Sequence, residues 1–254
     1  MPARVPRLPD PAPALDDPER KRRYNRRLFD LIAPRYDRFT RWFSFGMDAT
    51  WKRRLARAVR RHLPPDAVVL DLACGTGDLA EMVRRTGGRV IGVDASVAML
   101  HAAHQRFAVP PSARPPVRLI RGDMTSLPLA GSSVHAVTVG YGLRNAPDLD
   151  AALREMARVL RPGGVLATLD FFLPSNRVWR WWFLWYLRRA GRLLGRWWHG
   201  EPHAYGYIEA SLRPWMTATQ LTERFVAHGF RVDAEARYLL GGIGLHVSRR
   251  GERA

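Results

Sequence analysis

The chain of 254 residues carries 41 Lys and Arg against 23 Asp and Glu, a formal net charge of +18, and 46% of its residues are hydrophobic. This hydrophobic content predicts a folded core and excludes wholesale disorder, and the single cysteine, Cys74, excludes an internal disulfide framework. No run approaches the roughly 18 uncharged apolar residues of a transmembrane helix, and the N-terminus lacks the apolar core of a secretory signal. A cytoplasmic protein is therefore expected.

The positive charge is concentrated in two segments. Residues 1–62 hold 17 basic and 7 acidic side chains, and residues 177–198 hold six arginines and no acid. The stretch between these two segments is nearly neutral. This distribution indicates a specialised basic surface and argues against a uniformly basic nucleic-acid-binding protein, so no nucleic-acid partner is expected.

The N-terminal quarter of the chain divides into a tail and a helical cap. Residues 1–18 are rich in Pro and Asp, which predicts a disordered tail. Residues 19–63 are predicted to be helical, because apolar residues such as Leu28, Leu31 and Ile32 recur at spacings of three and four. Residues from 19 onwards are expected to form one domain with this cap.

Strands and helices then alternate through residues 64–176. The predicted strands are Ala67–Leu72, Arg89–Val93, Val117–Ile120, Val134–Val139 and Val165–Phe171, and the predicted helices are Leu79–Arg85, Ser96–Phe107 and Leu149–Leu160. Apolar strands that alternate with helices indicate a parallel sheet covered on both faces. Residues 177–218 are predicted to be a helical insertion, and residues 219–254 a closing helix and two strands, Phe230–Asp233 and Tyr238–Val247. The expected fold is α/β, Rossmann-like, with a mostly parallel seven-stranded sheet.

A glycine-rich turn is the strongest local motif. In the run Val68–Gly77 an apolar strand enters a turn with Gly75 and Gly77, and a helix follows. Small residues allow the backbone to approach a ligand closely, and the helix N-terminus offers free amide donors. Asp94, at the end of the second strand, can accept both hydroxyls of a ribose. The glycine spacing alone also fits a dinucleotide site, so a dehydrogenase is one interpretation.

Three further features favour S-adenosylmethionine over a dinucleotide. Asp71 precedes the turn, where it would repel a pyrophosphate and attract a cationic amino acid moiety. Asp123 and Met124 follow the third strand, where they are placed to hold an adenine by a carboxylate and an apolar contact. Residues 161–164, Arg-Pro-Gly-Gly, precede the fifth strand. This combination resembles the class I S-adenosylmethionine-dependent methyltransferases.

Four other segments narrow the resemblance. They are Phe29–Asp37, Ser44–Asp48, Gly140–Asn145 and Tyr205–Arg213. In this order they resemble the ubiquinone/menaquinone biosynthesis C-methyltransferase family, over about residues 29–251. The family methylates a ring carbon of a prenylated quinol with S-adenosylmethionine and without a metal. The resemblance therefore implies a demethylmenaquinol or a related benzoquinol as substrate.

The resemblance also implies roles for individual residues. Cofactor contacts are expected at Thr76, Asp94, Asp123 and Met124, with support from Asp71, Gly75 and Gly77. Tyr36, Arg144 and Asn145 are expected to face the substrate. Arg144 is predicted to stabilise the phenolate of the quinol, and Asn145 to hold a ring oxygen. Because arginine is a poor proton acceptor, a water polarised by Arg144, or Tyr36, is the predicted proton relay.

The isoprenoid tail of the implied substrate lies in a bilayer. A substrate in the membrane would explain the high Trp and Arg content of segment 177–198. It holds six of the nine tryptophans, and both Trp and Arg favour the surface of an anionic membrane. With the basic N-terminal region it is predicted to dock peripherally on the inner face of the membrane. The tryptophans of this segment could instead fill the core. The segment could also do both, with one face packed inward and the other on the membrane. A homo-oligomer is left open.

Two departures from the family pattern and two rival functions are also left open. His135 replaces a usual acid at the start of the fourth strand, away from the expected site, and the Trp/Arg segment 177–198 is more basic and aromatic than the family norm, which leaves the exact substrate open. Separately, His203 is a candidate for the substrate pocket. No histidine shows metal-ligand spacing. One rival is a methyltransferase for another apolar molecule, such as a polyketide or a sterol-like acceptor. The other is a non-catalytic membrane- or RNA-associated module with a degenerate site.

Overall fold

A computed structural model describes residues 8–15, 17–108, 116–199 and 202–251. The helices in these ranges are α1 (Ala12–Leu15), α2 (Pro18–Ile32), α3 (Tyr36–Phe43), α4 (Met47–Arg60), α5 (Asp78–Arg85), α6 (Val97–Ala108), α7 (Leu149–Val159), α8 (Arg177–His199), α9 (Pro202–Leu212) and α10 (Ala218–Ala227). The strands are β1 (Val68–Leu72), β2 (Arg89–Asp94), β3 (Arg118–Arg121), β4 (Val134–Gly140), β5 (Leu160–Phe171), β6 (Phe230–Tyr238) and β7 (Ile243–Arg250). Short 3₁₀ turns cover Ala33–Arg35, Leu143–Asn145 and Leu239–Gly241.

The seven strands form one sheet in the order β3-β2-β1-β4-β5-β7-β6. Strands β1 to β5 are parallel, and β7 runs antiparallel to both of its neighbours. The expected mostly parallel, seven-stranded α/β fold is confirmed. The chain extends from β1 to β2 and β3 on one side and then returns to β4 on the other side. A crevice therefore opens between the carboxyl ends of β1 and β4, where open α/β sheets bind ligands.

The sheet is covered on both faces. Val69 and Leu70 are adjacent in β1, and because side chains alternate along a strand they face opposite layers. Leu70 packs in the layer that contains α7 and α10, and Val69 packs with Leu55 of α4 and Val83 of α5. Helix α4, part of the predicted cap, therefore covers one face of the sheet.

Helix α2 lies across the carboxyl end of the sheet. Asp17 caps its first turn by accepting a hydrogen bond from the amide of Arg20 at 2.7 Å. Its apolar face buries Tyr24, Leu28 and Ile32, and the ring of Tyr24 stacks on Tyr207 of α9 at 5.4 Å. The apolar periodicity that predicted this helix therefore reflects real packing.

Two boundaries differ from expectation. Strand β5 begins at Leu160 instead of Val165, because Leu160 already pairs with Val134 of β4. The predicted strand Tyr238–Val247 is interrupted: Tyr238 ends β6, and left-handed residues at 239 and 240 form a reversal before β7. Part of the expected disordered tail also packs on the fold, since Leu8 is buried beside α2 and α9.

The predicted insertion contains α8 and α9. In α8, Phe183 and Leu187 are buried, and Arg192 is exposed. The side chain of His203 lies outside the described residues. His135 lies at the start of β4, as expected, and its Nδ1 accepts a hydrogen bond from the amide of Val68 at 3.0 Å. Among the described helices, none is both long enough and apolar enough to cross a bilayer.

Candidate active site

The turn after β1 adopts a backbone conformation that only small residues tolerate well. Gly75 and Gly77 have φ angles of +54° and +80°, and Ala73 has a φ of +55° despite its Cβ. The amide of Gly75 donates to Asp94 Oδ2 at 2.8 Å. A hydrogen bond therefore joins the glycine turn to the end of β2.

A small cavity lies between this turn and helix α2. Gly75, Asp94, Asp123 and Met124 line it, together with Gly122 and Gly142. A Cβ added at Gly142 would lie 2.7 Å from the Cβ of Ala73, so a larger residue there would displace the turn. Because residues that the sequence predicts to contact the cofactor line this space, at the ends of β1 to β4, we call it the cofactor cavity.

The two strand-end carboxylates in the cofactor cavity are held by the protein itself. Asp94 accepts the amides of Gly75 and of Ser96, the latter at 2.9 Å, and burial raises its pKa despite these hydrogen bonds. Asp123 accepts the amide and hydroxyl of Thr125 at 2.8 and 2.7 Å. Burial acts to raise the pKa of Asp123, but Thr125 and Arg22 outweigh it, so the pKa is lowered. Both carboxylates are therefore held in position by neighbouring groups of the protein.

Helix α2 forms one wall of the cofactor cavity. Arg22 Nε donates to Asp123 Oδ2 at 2.6 Å, and Asn25 Nδ2 donates to the carbonyl of Asn145 at 2.8 Å. The hydroxyl of Ser96 donates to Asp30 Oδ1 at 2.6 Å. Sequence reasoning missed this role of the cap, because a helical period does not show which strand ends a helix will cover.

Three residues expected at the cofactor lie behind the cavity wall. Asp71 is 1% exposed and accepts a hydrogen bond from the Thr138 hydroxyl at 2.7 Å, while its Oδ2 has no partner among the described residues. Thr76 donates its hydroxyl to Asp37 Oδ1 at 2.5 Å. A Cβ at Gly77 would lie 2.7 Å from the ring of Phe107, so this glycine permits close packing against α6.

A second, larger cavity of about 440 Å³ lies between the cap and α8. Its walls are almost entirely apolar and come from α2, α3, α4, α8, α9 and the ends of β4, β5 and β7. Phe39, Phe43, Phe183 and Ile208 are among the lining residues. We call this space the apolar cavity. An apolar space with few polar groups suits a flat ring and a hydrocarbon chain.

The two cavities share a wall. Phe29, Tyr36 and Tyr141 line both of them. Burial raises the pKa of Tyr36 to about 12, so its hydroxyl is protonated at neutral pH. The two cavities therefore adjoin at these three aromatic side chains.

Arg144, which the sequence predicts to face the substrate, lines the apolar cavity. Its Nη1 donates to Asp170 Oδ1 at 2.6 Å, its amide donates to Asp170 Oδ2 at 3.2 Å, and its guanidinium lies 5.0 Å from the ring centre of Phe171. Its Nε is buried without a partner in the described part of the chain. Arg144 is thus a fixed cation that keeps one N–H donor available.

Asn145 lies instead at the cofactor cavity. Its Nδ2 donates to the carbonyl of Tyr141 at 3.2 Å, and its Oδ1 accepts the Tyr207 hydroxyl at 3.2 Å. The adjacent predicted residues, Arg144 and Asn145, therefore point to different cavities. This arrangement follows from the 3₁₀ turn that contains them.

Sequence reasoning also missed a buried ionic group beside the apolar cavity. Lys52, which is 2% exposed, donates to Asp48 Oδ2 at 2.9 Å and to Asp78 Oδ2 at 2.5 Å. Asp48 and Lys52 lie four residues apart on α4, which is a pattern common on solvated helix faces, so spacing alone did not single them out.

Comparisons with known proteins agree with this geometry. The model of the ubiE/COQ5 methyltransferase family matches residues 18–250. The chain is 34% identical to a demethylmenaquinone methyltransferase of Desulfitobacterium hafniense, over 92% of either chain. It is 38% identical to a 2-phytyl-1,4-naphtoquinone methyltransferase of Thermosynechococcus vestitus, over 85% of this chain and 94% of that one.

A solved structure shows the same fold. A SAM-dependent methyltransferase from Methanosarcina mazei superposes with a TM-score of 0.58 at 18% identity, over 77% of this chain and 98% of that one. At this level of identity the likeness concerns the fold alone. It supports the assignment of the sheet to the class I methyltransferase architecture.

Proposed function

Because the chain belongs to the ubiE/COQ5 methyltransferase family, we propose that it transfers a methyl group from S-adenosylmethionine to a ring carbon of a prenylated naphthoquinol of the demethylmenaquinol type. The observation that carries the proposal is the pair of adjoining cavities, one lined by the strand-end carboxylates Asp94 and Asp123 and the other almost entirely apolar, which share three aromatic lining residues. The two relatives, a demethylmenaquinone and a phytyl-naphthoquinone methyltransferase, favour a naphthoquinol over a benzoquinol.

The cofactor cavity fits S-adenosylmethionine by the chemistry of its donors and acceptors. Asp94 would accept the ribose hydroxyls, and Asp123 and Met124 would lie beside the adenine. Asp71 lies buried behind the turn, and because burial raises its pKa to about 7, the cationic part of the ligand would favour its ionised form. When bound, S-adenosylmethionine supplies an electrophilic methyl group on a positively charged sulfur.

The chain's own residues prepare the ring of the substrate. In the apolar cavity Arg144 lies where it can stabilise negative charge on a ring oxygen, and the low polarity of the walls strengthens that interaction. Asp170 holds the guanidinium in one orientation, so little reorganisation is needed when the charge forms. Tyr36 and Tyr141, in the common wall, restrict the ring to the side that faces the cofactor cavity.

An apolar rim supports peripheral docking on a membrane. Phe45, Val178, Trp181, Trp182 and Leu240 are between 50% and 78% exposed. Phe45 and Trp182 line the apolar cavity. The ring centres of Trp181 and Trp182 are 4.8 Å apart, and Val178 and Leu240 line a shallow pocket together with Trp182. We call these five residues the apolar rim. With Arg177 and Arg189 exposed on the same helix, the rim suits an anionic bilayer surface from which a prenyl tail could enter.

The direct test is methyl transfer by the purified protein. Demethylmenaquinol in anionic vesicles is compared with its oxidised quinone, with a tail-less naphthoquinol and with a prenylated benzoquinol. We expect a C-methylated naphthoquinol, identified by mass and by the lost ring hydrogen, and no product from the oxidised form. Efficient methylation of the tail-less ring alone, or binding of a nicotinamide dinucleotide in place of S-adenosylmethionine, would contradict the proposal.

A further inference from the structure

The buried ionic group beside the apolar cavity has more negative than positive charge. Two carboxylates, Asp48 and Asp78, face the single ammonium of Lys52. In a buried site, two carboxylates that share one cation cannot both ionise freely, and one of them binds a proton more readily.

Asp48 is the carboxylate that binds a proton more readily. Burial acts to raise the pKa of Asp78, but Lys52 outweighs it, and the amide of Leu79 donates to Asp78 Oδ1 at 2.7 Å, so the pKa of Asp78 is lowered. By contrast, burial raises the pKa of Asp48. Asp48 is 7% exposed, lines the apolar cavity, and its Oδ1 has no hydrogen-bond partner of normal geometry in the described part of the chain.

Tyr141 connects Asp48 to the place where a substrate ring would lie. Its side chain lines both cavities, and its ring centre lies 5.3 Å from Lys52 Nζ, which donates to Asp48 Oδ2 at 2.9 Å. The Tyr141 hydroxyl and the Asp48 carboxylate are therefore neighbours. Burial first, and then the charge of Asp48, raises the pKa of Tyr141. The hydroxyl is therefore protonated, and it can donate to Asp48 while its oxygen accepts from a second group.

We propose that Tyr141 and Asp48 form the proton relay of the methyl transfer, with Tyr141 as the catalytic residue and Asp48 as the final acceptor. The O–H bond of the quinol breaks, its proton passes to the Tyr141 oxygen, and the tyrosine proton passes to Asp48 Oδ1. The electron pair stays on the ring oxygen, and no oxidant or reductant takes part. This inference rests on the proposed function and replaces the water or Tyr36 as the expected relay.

The electrostatics of the site favour this transfer. The negative charge moves from Asp48 to a ring oxygen in the cavity that Arg144 lines, so the number of buried charges does not change. The other groups that face Asp48 are Lys52 on its own helix, Asp78 on α5 and Tyr36 on α3. Lys52 is held protonated by the two aspartates, and both oxygens of Asp78 already accept hydrogen bonds, from Lys52 Nζ and the amide of Leu79, so neither group takes the quinol proton.

The kinetic test uses Asp48→Asn, Tyr141→Phe and the double variant, with Tyr238→Phe as a control for a half-buried tyrosine outside both cavities. An Asn at 48 keeps an oxygen for Lys52, so the fold is expected to persist and is checked by Tm. We expect kcat to fall about 100-fold in each single variant, as for loss of a general base. Because the residues act in series, the double variant should lose at most about threefold more.

A pH profile separates a relay from a structural role. The quinol hydroxyl ionises in solution at about pH 10, so the deficit of Asp48→Asn should shrink towards that pH, where no acceptor is needed. Binding supplies a second readout, from tryptophan quenching by the quinol and by its oxidised quinone. The wild type should prefer the quinol by about tenfold, and Tyr141→Phe should abolish the preference.

The outcomes are distinguishable. A wild type that does not methylate the quinol overturns the proposed function and the relay with it. An active wild type whose single variants keep kcat within threefold, or lose the same factor at every pH, overturns the relay alone. Multiplicative losses in the double variant would also contradict it.

Discussion

The cofactor cavity and the apolar cavity are built in different ways. The first is formed by the carboxyl ends of four neighbouring strands, and the backbone amides of Gly75 and Ser96 hold its acidic group, Asp94, in place. The second is formed by side chains of helices far apart in the sequence, with Arg144 as one of its few charged groups. Hence single substitutions in the first should alter cofactor affinity, whereas in the second they should alter turnover or tail binding.

The largest effect is expected at Arg144. Replacement by Gln should lower turnover about 1,000-fold, because the cation that stabilises the ring oxygen is lost, while affinity for S-adenosylhomocysteine stays within threefold. The single variant also leaves Asp170 buried without its cation, at an expected stability cost of about 3 kcal/mol. The pair Arg144→Gln with Asp170→Asn should recover stability without recovering turnover. Equal losses of turnover and cofactor affinity would contradict the assignment.

The ionisation of Asp71, beside the cofactor cavity, should make the free energy of unfolding depend on pH. Burial raises its pKa to about 7, so the folded state holds a proton that the unfolded state has released above about pH 4. This carboxyl therefore lowers stability as the pH rises from about 4 to 7, and the penalty is complete above that range. Asp71→Asn should gain roughly 3 kcal/mol over the wild type between pH 5 and pH 8, measured by urea unfolding without ligand. A difference independent of pH would show that Asp71 ionises normally.

A substitution at Asp94 tests whether changes in the cofactor cavity alter cofactor affinity and leave quinone binding unchanged. Asp94→Ala should weaken S-adenosylhomocysteine binding about 100-fold by calorimetry, because it removes a charged acceptor from the expected ribose position. Binding of a tailed naphthoquinone should change less than threefold. Asp150→Ala, at an exposed ion pair with Arg224, is the matched control and should change neither. Equal weakening of both ligands by Asp94→Ala would mean that the cavities are not independent.

The smallest effect is expected at the apolar rim. Trp182→Ser with Trp181→Ser should reduce partitioning onto anionic vesicles about tenfold, since both side chains are at least half exposed. KM for tailed quinol in vesicles should rise, while kcat and the KM of a tail-less quinol stay the same. Unchanged partitioning would mean that a surface other than the apolar rim docks on the membrane.

The two cavities were also unequally predictable. Strand ends converge at a known place in a parallel sheet, so Asp94, Asp123 and the glycine turn could be placed from the pattern of strands alone. Arg144 could be placed only because it follows β4 and resembles a family motif. The contacts of α2 with Asp123 and Asn145, and the approach of Asp48 to Tyr141, depend on how helices distant in sequence pack over the sheet. No periodicity or spacing encodes that packing.

The central claim is that the methyl donor and the acceptor ring occupy separate cavities that meet at Tyr36 and Tyr141. A crystal structure with S-adenosylhomocysteine and a prenylated naphthoquinone tests it most directly. We expect the nucleoside beside Asp94 and Asp123, and the ring between Tyr141 and Arg144 with its tail directed towards the apolar rim. A ring bound outside the apolar cavity, or a nucleoside remote from Asp94, would contradict the account.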